Sequence, residues 1–243
     1  MIQGMILAAG LGTRLRPVTD VIPKALVEIN GKTLLQWNIE KLAKAGCKRI
    51  VVNVHHFPEL IRTFLDQNFG VEIVVSDESD QILDTGGGLL KAASLFHPNW
   101  PVLVHNVDVI GNIDLEQLVA SHKARNAMAT LVVRDRTTER YLLFDSEMHL
   151  TGWLNRNSGE TKMVNRYEFS NRLQQYAFSG IHVLEPALLQ DLSLMGRFSL
   201  IQAYLTLADK HTIEGYLDQS TEWLDVGKPD QLAMIRNRPS RPQ

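Results

Sequence analysis

Met5-Ile6-Leu7-Ala8-Ala9-Gly10-Leu11-Gly12-Thr13-Arg14-Leu15-Arg16-Pro17 is a short apolar run that ends in a glycine-spaced basic turn, and Pro23-Lys24-Ala25-Leu26-Val27 follows closely. An apolar stretch of this length, stopped by glycine, reads as a buried strand. Gly10 and Gly12 carry no side chain to block the backbone, so several N–H groups can point at one anion, and Arg14, Arg16 and Lys24 bring positive charge to the same place. The arrangement suits the polyphosphate of a nucleoside triphosphate.

Two other phosphate-binding turns do not fit. The dinucleotide fingerprint needs a third glycine, but Thr13, Arg14 and Leu15 follow Gly12. Gly31-Lys32-Thr33 imitates the end of a P-loop, yet the glycine required five positions earlier is Leu26, so this tripeptide reads as a turn feeding a helix.

Outward from the opening run, apolar segments at 5–9, 49–54, 71–76 and 101–105 alternate with helical patterns, the rhythm of a parallel sheet. Thr33 is placed to cap a helix whose Leu35, Ile39 and Leu42 share a face, with Gly46 at its end. Residues 59–68, 88–95 and 114–123 read as the next helices. From there the pattern turns β-rich, with strands at 129–134, 141–145, 149–153 and 175–184. Helices at 198–209 and 229–236 and strands at 212–217 and 223–226 follow, and the tail from 238 to 243 is expected to fray. The expected class is α/β, a mostly parallel mixed sheet flanked by helices. There is no internal repeat.

The chain has 243 residues, of which 44% are hydrophobic, enough for one large α/β domain spanning 1–237. Its net charge of −2, with no compensating basic run, argues against nucleic acid or an anionic membrane as a partner. A single cysteine, Cys47, excludes an internal disulfide framework and fits a reducing compartment; its neighbours suggest burial. With no leader pattern and no run long enough to span a bilayer, the expectation is a cytoplasmic protein, monomeric or weakly dimeric.

Two acidic positions stand out. Asp108 follows the apolar segment before it at the carboxyl edge of the inferred sheet, where open α/β sheets bind ligands, although a strand-end aspartate taken alone more often caps a turn. Asp225 lies in Trp223-Leu224-Asp225-Val226-Gly227, equally readable as a strand closing in a turn before a helix that starts at Pro229. Asp84-Thr85-Gly86-Gly87-Gly88 reads as a ligand-facing loop whose following helix offers free N–H groups. Residues 155–172 carry Arg156, Lys162, Arg166 and Arg172, and could be a lid over a bound phosphate or a plain solvated loop. His55 and His56 look like strand-end residues with nothing around them to complete a zinc site.

The run from Leu7 to Val27 resembles the N-terminal motif of sugar-1-phosphate nucleotidylyltransferases, G-x-G-T-R-L-x-P-x-T followed by P-K-P-L. Gly10, Gly12, Thr13, Arg14, Leu15, Pro17, Thr19, Pro23, Lys24 and Leu26 sit where that pattern expects them; Ala25 replaces a proline. The resemblance covers nearly the whole chain in its minimal form, without the hexapeptide β-helix that some members append. It implies a Rossmann-like sheet with a small β-rich sugar-binding extension, residues 1–127 serving the nucleotide and 128–237 the sugar.

Carried over position by position, the resemblance implies Arg14, Lys24 and Asp108 as catalytic, with Asp108 and Asp225 holding Mg2+. Ala8, Ala9, Gly10, Gly12, Thr13, Arg14, Asp84, Thr85, Gly86 and Asn106 would contact the nucleotide. Asn155, Asn165, Ser179, Gly180 and Trp223 would contact the sugar, and Arg14 with Arg16 would draw charge toward departing pyrophosphate. Three departures stand out. Val107 replaces the usual glycine before Asp108, Lys228 replaces a threonine, and Trp153-Leu154-Asn155-Arg156 stands where an E-K-P element is common. The implied reaction is Mg-dependent transfer of a nucleotidyl group from an NTP to a sugar 1-phosphate. Its elements most resemble N-acetylmuramic acid 1-phosphate uridylyltransferases, with mannose- or heptose-1-phosphate guanylyltransferases as the alternative. A non-catalytic nucleotide-sugar sensor is the alternative of another class.

Overall fold

The computed structural model describes residues 1–165 and 173–236. Strand β1 (Ile2–Leu7) is buried along its whole length. Its side chains alternate between two apolar clusters, Ile6 entering one and Met5 and Leu7 the other, as the two-residue period of a strand buried on both faces requires. Three single 3₁₀ turns follow, at Thr13–Leu15, Val18–Asp20 and Lys24–Leu26. The short strands β2 (Glu28–Ile29) and β3 (Lys32–Thr33) then pair as a hairpin.

Helix α1 (Leu34–Lys44) starts where expected: the Thr33 hydroxyl accepts from the Gln36 N–H at 3.0 Å. Gly46, at φ +91°, leads the chain out of it into β4 (Cys47–Val54). Next come α2 (Pro58–Leu65), β5 (Glu72–Asp77), α3 (Asp84–Ala92) and β6 (Val102–Asn106). Strands β6, β1, β4 and β5 lie side by side in that order and run parallel.

Helix α3 corrects one expectation. It begins at Asp84, not Gly88, so the three glycines form part of the helix rather than a loop before it. Tertiary packing overrides their poor helix propensity. The Gly86 and Gly87 N–H groups both donate to the Phe198 carbonyl, at 3.0 and 3.2 Å, and so are not free for a ligand.

Past β6, the chain forms β7 (Val109–Gly111) and α4 (Leu115–Arg125), the latter capped by Asp114. The remaining strands are β8 (Ala129–Arg134), β9 (Arg140–Phe144), β10 (Leu150–Asn155), β11 (Thr161–Met163) and β12 (Gln174–Leu184). The eleven-residue β12 joins the two parts of the molecule. One end pairs with β9, while the other lies antiparallel between β6 and β8 across an irregularity at Phe178–His182. Helix α5 (Leu200–Leu207), β13 (Ile213–Leu217), parallel to β8, β14 (Trp223–Asp225) and α6 (Pro229–Arg236) complete the fold.

The result is the expected mixed α/β sheet, ten-stranded among the described residues, with helices on both faces. Arg166 and Arg172 of the suggested lid, and the tail from 238, lie outside the described residues. Among the described residues, no helix is long and apolar enough to cross a membrane.

Candidate active site

A cleft of about 360 Å³ opens at the carboxyl ends of the parallel strands, lined on one side by residues 9–14 and on the others by Lys24, Glu78, Asp84, Thr85, Asn106, Asp108 and Gly227. The turn at its mouth is tightly held. The Ala8 N–H donates to Asn53 Oδ1 at 2.6 Å, and the Thr19 hydroxyl donates to the Gly12 carbonyl at 2.8 Å.

The two glycines of this turn are needed for different reasons. Gly12 has φ +64°, and a Cβ there would fall 2.8 Å from Thr19 Cγ2. Gly10 has no left-handed backbone and no protein atom within 4 Å of the position a Cβ would take. The fold itself leaves room for a side chain at Gly10 and does not require glycine there.

The two carboxylates, far apart in sequence, are brought together by a ribbon. Strands β7 and β14 pair antiparallel with Asp225 opposite Val109, and the Val226 N–H donates to the Asp108 carbonyl at 2.8 Å. Helix α1 grips this segment from behind: Asn38 Nδ2 donates to the Val107 carbonyl at 3.0 Å, and Lys41 Nζ to the Gly111 carbonyl at 2.8 Å. Val107 is buried in the core and does not adopt positive φ, so the backbone before Asp108 does not call for the glycine that the resemblance leads one to expect.

Around these carboxylates the charges are dense. Buried Lys24 places Nζ on Asp108 Oδ2. Arg14 lies beside Asp225, since a Cβ at Gly227 would be 2.9 Å from Arg14 Nη2 and 2.8 Å from Asp225 Oδ1. Burial, and then the charge of Asp108, push the Asp225 carboxyl above its ordinary range, against the pull of Lys24, Arg14 and Arg136. Asp225 Oδ1 is buried with no hydrogen-bond partner. A pair of hard oxygen donors with one oxygen unspent fits Mg2+, which is normally held by one or two carboxylates together with substrate phosphates.

The sugar-side residues divide. Along β12, the Ser179 carbonyl accepts from Trp223 Nε1 at 3.0 Å, and Gly180, at φ +77°, packs so closely that a Cβ would meet Asn106 Nδ2 at 2.9 Å. Ser179, Gly180, Trp223 and Asn106 thus meet beside the carboxylate pair. Asn155 and Asn165 are engaged elsewhere. Asn155 Oδ1 accepts from the Asn157 and Ser158 N–H groups of its own turn, and Asn165 bonds Asp209 through both N and Nδ2. Arg16 also departs from expectation: it is exposed, ion-paired with Asp20 at 3.1 Å, and lines a separate groove against α6.

Asp84 and Thr85 line the cleft, whereas Gly86 faces Phe198 and Ser199. His55 Nδ1 and His56 Nε2 meet the carbonyls of Glu78 and Thr19. Sequence reasoning passed over Asn53, Glu78, Arg136 and Arg197. Asn53 gave a signal, a polar residue inside the apolar run Ile50-Val51-Val52-Asn53-Val54. Its Nδ2 donates to Glu78 Oε1 at 2.7 Å; burial raises the pKa of the Glu78 carboxyl, and Oε2 has no partner.

Comparison with known proteins agrees with this geometry. N-acetylmuramate alpha-1-phosphate uridylyltransferase of Caulobacter vibrioides is 33% identical over 233 residues, covering 93% of this chain and 91% of that protein. Mannose-1-phosphate guanyltransferase of Yarrowia lipolytica is 31% identical, but this chain spans only 61% of its length. The fold is shared with UDP-glucose pyrophosphorylase from Acinetobacter baumanii, with a TM-score of 0.81 at 19% identity, covering 97% of this chain and 92% of that one. Residues 3–239 match the family described as nucleotidyl transferase, and the chain belongs to that family as a sugar-1-phosphate nucleotidyltransferase.

Proposed function

We propose that this enzyme transfers a uridylyl group from UTP to N-acetylmuramic acid 1-phosphate, with Mg2+, in the cytoplasm, as a monomer or weak homodimer. The observation that carries the reading is the meeting of Lys24, Asp108, Asp225 and Arg14 at one point of a cleft whose mouth is kept open by Gly10. Residues 1–127 hold the nucleotide and 128–237 the sugar. A relative 33% identical along nine tenths of both chains is a uridylyltransferase, which supports uridine over the mannose- or heptose-1-phosphate guanylyl alternative.

A phosphate oxygen of the sugar 1-phosphate attacks the α-phosphorus, a new P–O bond forms, and the bond to the β-phosphate breaks as pyrophosphate departs. The attacking oxygen is already an anion near neutral pH, so alignment and charge stabilisation suffice and no general base is needed. Asp108 and Asp225 would hold the cation, which neutralises charge on the α-phosphate. Lys24, released from Asp108, turns its ammonium to the transferring phosphoryl group, and Arg14 draws charge toward the leaving pyrophosphate. A non-catalytic sensor is disfavoured because all four side chains are retained.

The test is pyrophosphate release with Mg2+ across UTP, GTP, CTP, ATP and dTTP against N-acetylmuramic acid, mannose, glucose and heptose 1-phosphates. The expected pair is UTP with N-acetylmuramic acid 1-phosphate. Lys24→Ala should lower its turnover about a hundredfold without unfolding the protein. Near-wild-type turnover removes Lys24 from the chemistry, and tight nucleotide-sugar binding without any turnover favours the sensor.

A further inference from the structure

Arg136 belongs to no motif of this chain. It leaves the end of β8 and attaches to the sugar strand: Nη2 donates to the Phe178 carbonyl at 3.2 Å, one residue before the Ser179 carbonyl that takes Trp223 Nε1. Its guanidinium carbon lies over the ring of the same Trp223, 4.3 Å from the centroid. Burial disfavours its charge and Asp225 stabilises it, so the cation sits within electrostatic reach of that carboxylate.

The side chain is half-buried, and its Nε, cut off from solvent, has no partner. A guanidinium cannot shed its charge, and a desolvated donor left unmade costs about 1–3 kcal/mol. Stacking on Trp223 and one carbonyl bond fix the plane of the fork without using all of its donors. Nε is closed to a ligand, but among the described residues Nη1 makes no hydrogen bond and Nη2 makes one, so the Nη1–Nη2 edge of the fork keeps N–H groups that match a phosphate through two parallel hydrogen bonds. Arg14 and Lys24 come from the nucleotide side of the cleft, whereas Arg136 is tied to the backbone of β12 next to Ser179.

We infer that Arg136 binds the phosphate of the sugar 1-phosphate and aligns its attacking oxygen on the α-phosphorus. This rests on the function proposed above. The alternative anion is a carboxylate on the sugar itself, as N-acetylmuramic acid carries and mannose does not, and the experiment separates the two.

Initial rates are measured for the wild type, Arg136→Gln and Arg136→Lys with UTP and GTP, against N-acetylmuramic acid 1-phosphate and mannose 1-phosphate, with thermal unfolding of each protein as control. In Arg136→Gln the KM for sugar 1-phosphate should rise between about 10- and 100-fold for whichever sugars turn over, while the KM for the nucleotide stays within about twofold. Arg136→Lys, which keeps charge but loses the fork, should fall between. Where both sugar 1-phosphates turn over, a KM rise confined to N-acetylmuramic acid 1-phosphate assigns Arg136 to the carboxylate and overturns the inference; where mannose 1-phosphate is not turned over, N-acetylmuramic acid 1-phosphate with its carboxylate converted to the amide takes its place in the comparison. Unchanged KM values, or a KM for the nucleotide that rises as much as that for the sugar 1-phosphate, overturn it as well. If Arg136→Gln does not fold, Arg136→Lys decides by the same split. Absence of any wild-type turnover overturns the proposed function and this inference together; turnover with an unmoved sugar-phosphate KM overturns only the latter.

Discussion

Two glycine-rich stretches border the same cleft and use glycine for opposite reasons. In the turn after β1, Gly10 faces open space, with no protein atom within 4 Å of a Cβ built there. At the start of α3, a Cβ on Gly86 would lie 2.6 Å from both Phe198 Cδ2 and the Ser199 carbonyl, and one on Gly87 would lie 2.3 Å from the Gly196 carbonyl. Nothing in the fold crowds Gly10, whereas Gly86 and Gly87 make room for the protein. A glycine's neighbours, more than its company in the sequence, tell binding from packing.

Alanine substitution tests this contrast most directly at Gly87. Helix propensity alone favours alanine by up to about 1 kcal/mol, but the Cβ meets a backbone carbonyl that no rotamer can move aside. The clash wins, and Gly87→Ala should lose about 3 kcal/mol of stability in a urea titration. A variant as stable as wild type would mean that the segment carrying Gly196 yields freely, and the packing role assigned to α3 would then fail.

Gly10→Ala should show the reverse. Its unfolding midpoint should stay at the wild-type value, since the backbone is unstrained and the space is empty. Its kcat/KM should fall about tenfold or more, roughly 1.4 kcal/mol of transition-state binding. Unfolding measured beside initial rates distinguishes the cases. Full activity would mean that the nucleotide does not approach the backbone at Gly10.

The same contrast explains what could be read in the chain. The segment from Met5 to Lys24 was legible because an apolar run, two glycines and three cations are local features, and the β8 and α6 ranges came out of periodicity and a helix-starting proline. The meeting of Asp108 with Asp225 was legible only through resemblance, since it depends on the β7–β14 ribbon, a pairing between distant segments. The start of α3 was misplaced because glycines read as helix breakers, and the Phe198 carbonyl that takes two of their N–H groups is a tertiary partner. Arg136 gave no signal: it sits in a connection, and its stacking on Trp223 is again long-range.

Glu78 connects the two glycine sites and carries the smallest of the expected effects. Its Oε1 would lie 2.6 Å from a Cβ on Gly88 and accepts from Asn53, the residue that holds the Ala8 N–H at the start of the glycine turn. Burial raises its pKa above the ordinary 4.5, so the folded state holds a proton there more tightly than the unfolded chain does. The wild type is therefore penalised above that pH and relieved as pH falls through the carboxylate range. Glu78→Gln keeps an acceptor for Asn53 and removes the buried charge. It should stabilise the ligand-free protein at pH 7 by about 1 kcal/mol or less, and the gain should shrink toward pH 4. Urea titrations at the two pH values measure it. A glutamine variant less stable at pH 7 would show that the Glu78 charge is held by His55 or Lys91 strongly enough to outweigh its burial.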